Sequence, residues 1–133
     1  PWNAHSKIRL KMEDPDHPTL AAFGGKAYDT QDEIYQYKDT PYSRDRLRIL
    51  YSLDPEGTDM SSAGVKKKMR RADGDYPVAW VQKYGEGRLF YSNLGHNNKT
   101  YWDPTILKHF LAGIQFALGD LDGKTAPSGP LKK

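Results

Sequence analysis

The fold is decided by residues 76–96, which read YPVAWVQKYGEGRLFYSNLGH. Two runs in this stretch, 78–84 and 88–94, are rich in aromatic and branched apolar residues, and Gly85-Glu86-Gly87 separates them. A three-residue connection that contains glycine is typical of a β-hairpin, because glycine supplies the positive φ that such a turn requires. Apolar residues occur on both faces of each run, which predicts two central strands covered on both sides.

An amphipathic helix is predicted after the hairpin. Asp103 is a good N-cap, Pro104 suits the first helical position, and Gly119 can close the C-terminus. The apolar residues between these ends repeat at helical spacing and predict one buried stripe, formed by Ile106, Leu107, Phe110, Leu111, Ile114 and Leu118. Strands followed by such a helix indicate a layered α/β domain.

Three further strands are predicted upstream of the hairpin. Residues 6–12 alternate apolar and basic side chains, which is typical of a strand near a sheet edge with one face in water. Residues 28–37 indicate a short strand with Asp32 and Glu33 near its middle. Residues 46–53 indicate another strand, whose apolar residues share one face: Leu47, Ile49, Tyr51 and Leu53.

The remaining segments are predicted to be loops. Residues 54–76 carry glycines and clustered charge without a sustained period, which indicates a long insertion in the domain. Residues 121–133 are rich in Gly, Pro and Lys and predict a flexible tail. The long loop holds most of the excess positive charge and predicts a solvated basic cluster, formed by Lys66, Lys67, Lys68, Arg70 and Arg71.

The composition bounds the class of protein. A chain of 133 residues is long enough for one domain and too short for two of ordinary size. The net charge is +3, and most of the excess basic residues lie in one loop beside acidic residues. No nucleic-acid partner is therefore predicted. No stretch approaches the roughly 20 apolar residues of a membrane-spanning helix. The absence of cysteine excludes disulfides and thiolate–metal clusters within these residues and leaves the compartment, cytoplasmic or exported, open.

The chain resembles the ThuA-like (trehalose utilisation) family in four motifs that follow one another in the family's order. The first is Asp14-Pro15-Asp16-His17-Pro18, which is similar to a D-x-x-H-P turn, and the second is Asp32-Glu33-Ile34-Tyr35. The third is the hairpin stretch 76–96 with its L-G-H ending. The fourth is 102–119, which combines Trp102-Asp103-Pro104 with an H-x-L-x-G-I-x-F-A-x-G type of helix.

This resemblance implies a three-layer, flavodoxin-like α/β sheet similar to class I glutamine amidotransferases, with a role in carbohydrate catabolism. Family domains are longer, so residues 1–120 are expected to form the C-terminal part of one domain, and Pro1-Trp2-Asn3 would fall in its middle. The strands lead to the same expectation, because one helix covers only one face of an apolar sheet. The expected partners are therefore the rest of the domain, a small carbohydrate and, as an open option, further copies in a homo-oligomer. The family generally lacks the elbow cysteine, which argues against glutaminase chemistry.

His96 is the first candidate for catalysis. It follows an apolar strand and precedes the helix, and ligands of open α/β sheets bind beyond the carboxyl ends of strands. Imidazole exchanges protons near neutral pH and suits acid or base work, although His96 could instead pin the loop by hydrogen bonds. Asp32 and Glu33 are adjacent, so on a regular strand they face opposite ways, and one of them could orient His96 or hold a sugar hydroxyl.

Other candidates concern ligand binding. Tyr35 and Trp102 offer rings on which a sugar could pack, and Asn93 and Asn97 offer amides for its hydroxyls. His17 is either a site residue or a turn-former. The sequence identifies no cofactor motif and no pair of histidines at metal-binding spacing, while histidines and carboxylates brought together by folding could still bind a divalent metal.

Two functions follow from these residues and from the resemblance. One is an enzyme of trehalose, glycoside or keto-sugar catabolism, of hydrolase, lyase or isomerase type, in which His96 acts with Asp32 or Glu33. The alternative is a non-catalytic carbohydrate-binding or assembly module that uses the same pocket.

Overall fold

The computed structural model describes residues 5–38, 42–61, 63–69 and 71–131. Its centre is a curled, antiparallel five-stranded sheet in the order β2-β1-β3-β4-β5. The strands are β1 (Lys7–Met12), β2 (Tyr28–Gln31), β3 (Arg48–Leu53), β4 (Pro77–Tyr84) and β5 (Gly87–Ser92). The helices are a short 3₁₀ helix (Pro18–Phe23), α1 (Ala63–Lys68), α2 (Asn98–Tyr101) and α3 (Pro104–Leu118). None of these helices is long and apolar enough to cross a membrane.

The predicted hairpin is confirmed, with a tighter turn than expected. Tyr84 pairs with Gly87, so the connection has two residues, and Gly85 takes the left-handed conformation with φ 57°. β5 is an edge strand of the described sheet, and its side chains are mostly half-buried. The prediction that both strands are central and covered is therefore wrong for β5.

β3 does not present one apolar face along its length. Its pairing with β4 shifts register between Ile49 and Tyr51 and again before Ser52. Such an irregularity reverses the side-chain alternation. Leu47 and Ile49 consequently pack on one side of the sheet, and Tyr51 and Leu53 pack on the other, so the prediction of a single shared face is wrong.

The ends of α3 are as predicted, and its buried face matches the predicted stripe at Ile106 and Phe110 but not along its whole length. The Asp103 carboxylate accepts hydrogen bonds from the amides of Thr105 and Ile106, and Gly119 closes the helix at φ 98°. The face against the sheet consists of Ile106, His109, Gly113 and Phe116. Leu111, Ile114 and Leu118 of the predicted stripe are exposed. The helix is rotated because Gly113 lets the Phe90 ring of β5 approach its backbone.

The sheet separates two apolar clusters. The larger one lies between the sheet, α3 and the 3₁₀ helix and includes Leu10, Leu20, Leu50, Tyr51, Val78, Ile106 and Phe116. The smaller one is formed by Tyr42, Leu47 and Ile49, with Tyr37 and Trp80 packed against it. We call the sheet face that carries the smaller cluster the aromatic face.

Two predicted loops make specific contacts. In the long loop, Arg71 is buried and bonded to Asp73, so the prediction of a solvated cluster is wrong for Arg71, although Lys66 and Lys67 are exposed. Arg70 lies outside the described residues, as do Pro1-Trp2-Asn3. In the predicted tail, Ser128 accepts a hydrogen bond from the Ile49 amide at 2.8 Å and donates its own amide to the Leu47 carbonyl at 3.0 Å.

Replacing Gly113 tests how closely α3 approaches the sheet. A Cβ at this position would lie 2.3–2.5 Å from three atoms of the Phe90 ring, so the ring or the helix must move. We expect Gly113→Ala to lower the free energy of unfolding by about 2 kcal/mol, despite the better helix propensity of alanine. Urea unfolding measures this change. Adding Phe90→Leu should recover part of the loss, whereas additive effects of the two substitutions would contradict the proposed contact.

Candidate functional site

Asp32 fixes the loop that carries His96. It follows β2, is fully buried, and accepts three backbone hydrogen bonds. One carboxylate oxygen accepts from the amides of Glu33 and Asn97 at 3.0 and 2.9 Å, and the other accepts from the amide of Gly95 at 2.6 Å. Both oxygens are thus engaged by the backbone, so Asp32 is placed to position the loop.

A second tie joins the same two segments. The Gln31 carbonyl at the end of β2 accepts hydrogen bonds from Asn97 Nδ2 at 2.7 Å and from Thr100 Oγ1 at 2.9 Å. Gly95 has φ 110°, which only glycine adopts without strain, and a Cβ there would lie 3.2 Å from the Tyr101 ring. The backbone on both sides of His96 is therefore held in place.

His96 and Glu33 form a pair at the surface. His96 Nε2 lies 3.7 Å from Glu33 Oε2, and the exposed fractions of the two side chains are 52% and 23%. This separation is too long for a hydrogen bond and short enough for a charge contact when the imidazole is protonated. The Glu33 side chain thus contacts the His96 side chain. Asp32 is linked to His96 only through the backbone amides of its neighbours in the loop.

The predicted ligand-binding residues differ in exposure. Trp102 is 67% exposed, and its ring is perpendicular to that of Tyr101, with centroids 5.3 Å apart. Tyr35 is about half exposed. Asn93 is buried and donates to the Tyr35 carbonyl at 3.5 Å, while its Oδ1 accepts no hydrogen bond from the described residues. Asn97 uses its side-chain amide to hold the loop, as described above.

His17 is held elsewhere in the fold. It caps the 3₁₀ helix, is buried, and has ring nitrogens 2.8 Å from Thr19 Oγ1 and 3.1 Å from the Lys124 carbonyl. Its ring also contacts Phe116 edge to face. Burial lowers its pKa below the ordinary value. The sequence leaves two roles open for His17, site residue or turn-former, and these contacts fit the role of turn-former.

His109 is a buried core histidine. Its Nδ1 lies 2.8 Å from the Thr19 carbonyl, which assigns the ring proton to Nδ1, and its Nε2 lies 3.1 Å from the Tyr51 hydroxyl. That hydroxyl also lies 2.9 Å from Ser92 Oγ. Burial lowers the pKa of His109 to about 4, so the ring is neutral at pH 7.

Residues 5–38, 42–61, 63–69 and 71–131 contain no group of three or more His, Asp or Glu side chains that could hold a metal ion. Trp80 and Tyr91 form a stacked pair on the aromatic face, and sequence reasoning missed Tyr91. The pairing register of the hairpin could have identified Tyr91, since residues directly opposite each other on paired strands share a face of the sheet.

The chain was compared with known proteins. A family model described as ThuA, Trehalose utilisation, matches residues 1–117. This range includes the hairpin, the loop that carries His96 and almost all of α3. Neither the curated proteins nor the solved structures contain a significant match.

Removing the Asp32 carboxylate tests the loop anchor. Asp32→Ala leaves three amides without their charged acceptor, and we expect the free energy of unfolding to fall by about 3 kcal/mol. Hydrogen exchange should accelerate at the amides of Gly95 and Asn97. The matched control is Glu33→Gln, which should change stability by less than about 0.5 kcal/mol. Equal exchange rates in Asp32→Ala and the unaltered chain would contradict the anchor.

The buried imidazole of His109 predicts a pH dependence of stability. The unfolded chain protonates this residue near pH 6.5 and the folded chain near pH 4, so the unfolded state binds more protons between these values. Stability should therefore fall as the pH drops, with His109 contributing about 3 kcal/mol of the loss between pH 7 and pH 4. Urea unfolding across this range should show a smaller loss in His109→Gln. Identical pH profiles would refute this role.

Proposed function

The chain belongs to the ThuA (trehalose utilisation) family, and from that premise we propose that it acts on a small carbohydrate at the His96–Glu33 pair. The observation that carries this proposal is the contrast between the adjacent residues Asp32 and Glu33. Asp32 is buried against the loop backbone, whereas Glu33 reaches the exposed imidazole of His96 at 3.7 Å. The loop is thus held in place while the pair stays accessible to a ligand.

In the proposed reaction His96 is the acid/base. A neutral imidazole takes a proton from a sugar hydroxyl or from water, and the carboxylate of Glu33 stabilises the imidazolium that forms. In trehalose hydrolysis the oxygen of that water bonds to the anomeric carbon as the glycosidic C–O bond breaks, and the imidazolium returns the proton to the departing oxygen. Asp32 acts through the backbone of Gly95 and Asn97 by keeping the loop in place.

Ligand contacts in this proposal come from side chains close to the pair in the sequence. The exposed rings of Trp102 and Tyr35 are available for the apolar C–H faces of a sugar. Asn93 and Asn97 lie on the two sides of His96, and their side-chain amides donate to the Tyr35 and Gln31 carbonyls, so the proposal assigns them to holding the loop rather than to the ligand. Of the candidates named from the sequence, His17 has contacts with Thr19, Lys124 and Phe116, and it is assigned no part in the reaction.

The finer fold assignment belongs to the same proposal. The three-layer arrangement of class I glutamine amidotransferases, completed by another part of the same domain, follows from family membership. The packing of α3 against one side of the sheet supports it, since this arrangement requires a helical layer there.

A non-catalytic carbohydrate-binding module is the second candidate. It is favoured by the 52% exposure of the His96 side chain, because water competes with substrate for an open acid/base. The module would use the same rings for recognition and would release its ligand unchanged.

Turnover of trehalose distinguishes the two candidates. We expect the chain to form a product detectable by NMR, and His96→Asn to reduce the rate by about 10²- to 10⁴-fold, the usual contribution of general acid–base catalysis. Glu33→Gln should reduce the rate less, because it removes only the charge that stabilises the imidazolium.

The control is Lys108→Gln, which removes an exposed charge from α3 and should leave the rate unchanged. Thermal unfolding confirms that each variant is folded. Saturable binding without product would establish the module instead of the enzyme. Undiminished turnover in His96→Asn would refute the role of this histidine.

A further inference from the structure

Residues 121–131 lie beyond the part of the chain that matches the family model, so family membership assigns them no role. They contain no helix or strand, yet they bond to the turn before β3, to β3 itself and to the cap of the 3₁₀ helix. We call residues 121–131 the C-terminal strap. We propose that this strap covers an open edge of β3 and opens locally while the rest of the domain stays folded.

The edge of β3 that the strap covers is left open by β1. The two strands pair from Leu53 to Tyr51, and the chain then leaves β1, its next two amides bonding to the Leu50 carbonyl. One side of Ile49 pairs with β4, and no other strand of the described chain pairs with its opposite side. An open edge offers unpaired backbone groups to other chains, so natural sheets usually cover or interrupt it.

Ser128 is the residue of the strap that closes this edge. Its amide donates to the Leu47 carbonyl at 3.0 Å, and its Oγ accepts from the Ile49 amide at 2.8 Å. A parallel strand bonds to alternate residues of its neighbour in the same way, with a carbonyl where Ser128 uses its hydroxyl. Ser128 therefore satisfies one acceptor and one donor that no strand reaches.

Further hydrogen bonds hold the strap on the two sides of Ser128. After it, the Gly129 amide donates to the Arg44 carbonyl at 3.2 Å. Before it, Arg48 Nη1 donates to the Ala126 carbonyl at 3.1 Å. The strap is thus bonded to the start of β3 and to the turn that precedes it.

The strap also meets the cap of the 3₁₀ helix. His17 Nε2 lies 3.1 Å from the Lys124 carbonyl, and the ring nitrogen donates because a carbonyl can only accept. A Cβ at Gly123 would lie 2.8 Å from the same nitrogen, so the strap passes close to the ring. This contact fixes the strap upstream of Ser128.

The strap is held by hydrogen bonds more than by packing. None of residues 121–131 is buried, and Ser128 itself is exposed. A cavity of about 380 Å³ is lined by Pro127, Ser128 and Pro130 of the strap and by charged side chains of the domain, such as Lys11 and Asp14. A segment with few buried contacts and exposed hydrogen bonds opens at a lower free-energy cost than the whole fold.

The ion pairs beside the strap do not depend on it. The buried Arg44 guanidinium donates to Glu13 and Asp75, and Arg48 Nε donates to Asp14 at 2.6 Å. Opening the strap removes the Arg48 Nη1 bond and leaves each guanidinium paired with a carboxylate. The sheet and its charged network therefore stay folded when the strap opens.

Hydrogen exchange in the unaltered chain tests local opening. The Ile49 amide is bonded to the strap, and the Leu53 amide is bonded to the Tyr76 carbonyl within the domain. We expect exchange at Ile49 to depend little on urea concentration, because local opening exposes little surface, and exchange at Leu53 to show the urea dependence of global unfolding. The same urea dependence at both amides would overturn the proposal, because the strap would then open only with the whole domain.

Substitutions at Ser128 provide a matched pair of variants. Ser128→Pro removes the amide donor and the hydroxyl acceptor, whereas Ser128→Thr keeps both. We expect Ser128→Pro to accelerate exchange at Ile49 by at least about tenfold, equivalent to one hydrogen bond, and to leave Leu53 unchanged. Its sedimentation coefficient should rise with protein concentration, because the open edge pairs with other copies. Ser128→Thr should match the unaltered chain in both measurements.

The possible results separate the strap from the proposed function. Faster exchange at Ile49 alone, together with self-association, supports the proposal. Unchanged exchange at Ile49 in Ser128→Pro would show that the strap does not cover this edge. Faster exchange without self-association would remove the protective role, and failure of Ser128→Pro to fold would make the strap part of the core structure; both would overturn the proposal. None of these measurements depends on turnover at His96.

Discussion

One buried carboxylate joins segments that leave the two edges of the sheet. β2 and β5 lie at opposite ends of the strand order, and four strand spacings in a flat sheet amount to about 19 Å. Asp32, which follows β2, nevertheless accepts hydrogen bonds of 2.6–2.9 Å from the loop that follows β5. The sheet must therefore curl, and the two segments must cross its end towards each other. The position of His96 depends on this closure, since the amides on both sides of it are bonded to Asp32.

The contacts of Asp32 explain how two adjacent carboxylates differ. The chain leaves β2 in extended form, so neighbouring side chains point in opposite directions. The Asp32 side chain points inwards, between the segments that follow β2 and β5. There the amides of Glu33, Gly95 and Asn97 donate the hydrogen bonds that water would otherwise donate to its carboxylate. The other direction leads to the surface, where Glu33 meets His96. The sequence predicts the opposition of the two side chains, and only the fold determines which of them faces inwards.

The features that the sequence predicts are those determined by neighbouring residues. The caps of α3 at Asp103 and Gly119 and the turn at Gly85 depend on a few consecutive residues, and all are confirmed. The partners of Asp32 lie 63 and 65 residues away, so no local pattern identifies them. The buried face of α3 is likewise set by a distant contact, the Phe90 ring against Gly113, which hydrophobic periodicity does not record.

Burial also distinguishes the histidines chemically. His109 is buried beside Tyr51, and its pKa is lowered to about 4, so it stays neutral and cannot act as a base whose proton exchanges with solvent. His17 is buried, and both of its ring nitrogens are within hydrogen-bonding distance of protein groups. His96 combines a carboxylate neighbour with exposure and a fixed backbone. Because the His96 side chain is about half exposed, the described residues leave it open to water on one side. During a reaction, the ligand itself or side chains that move over His96 would have to cover that side.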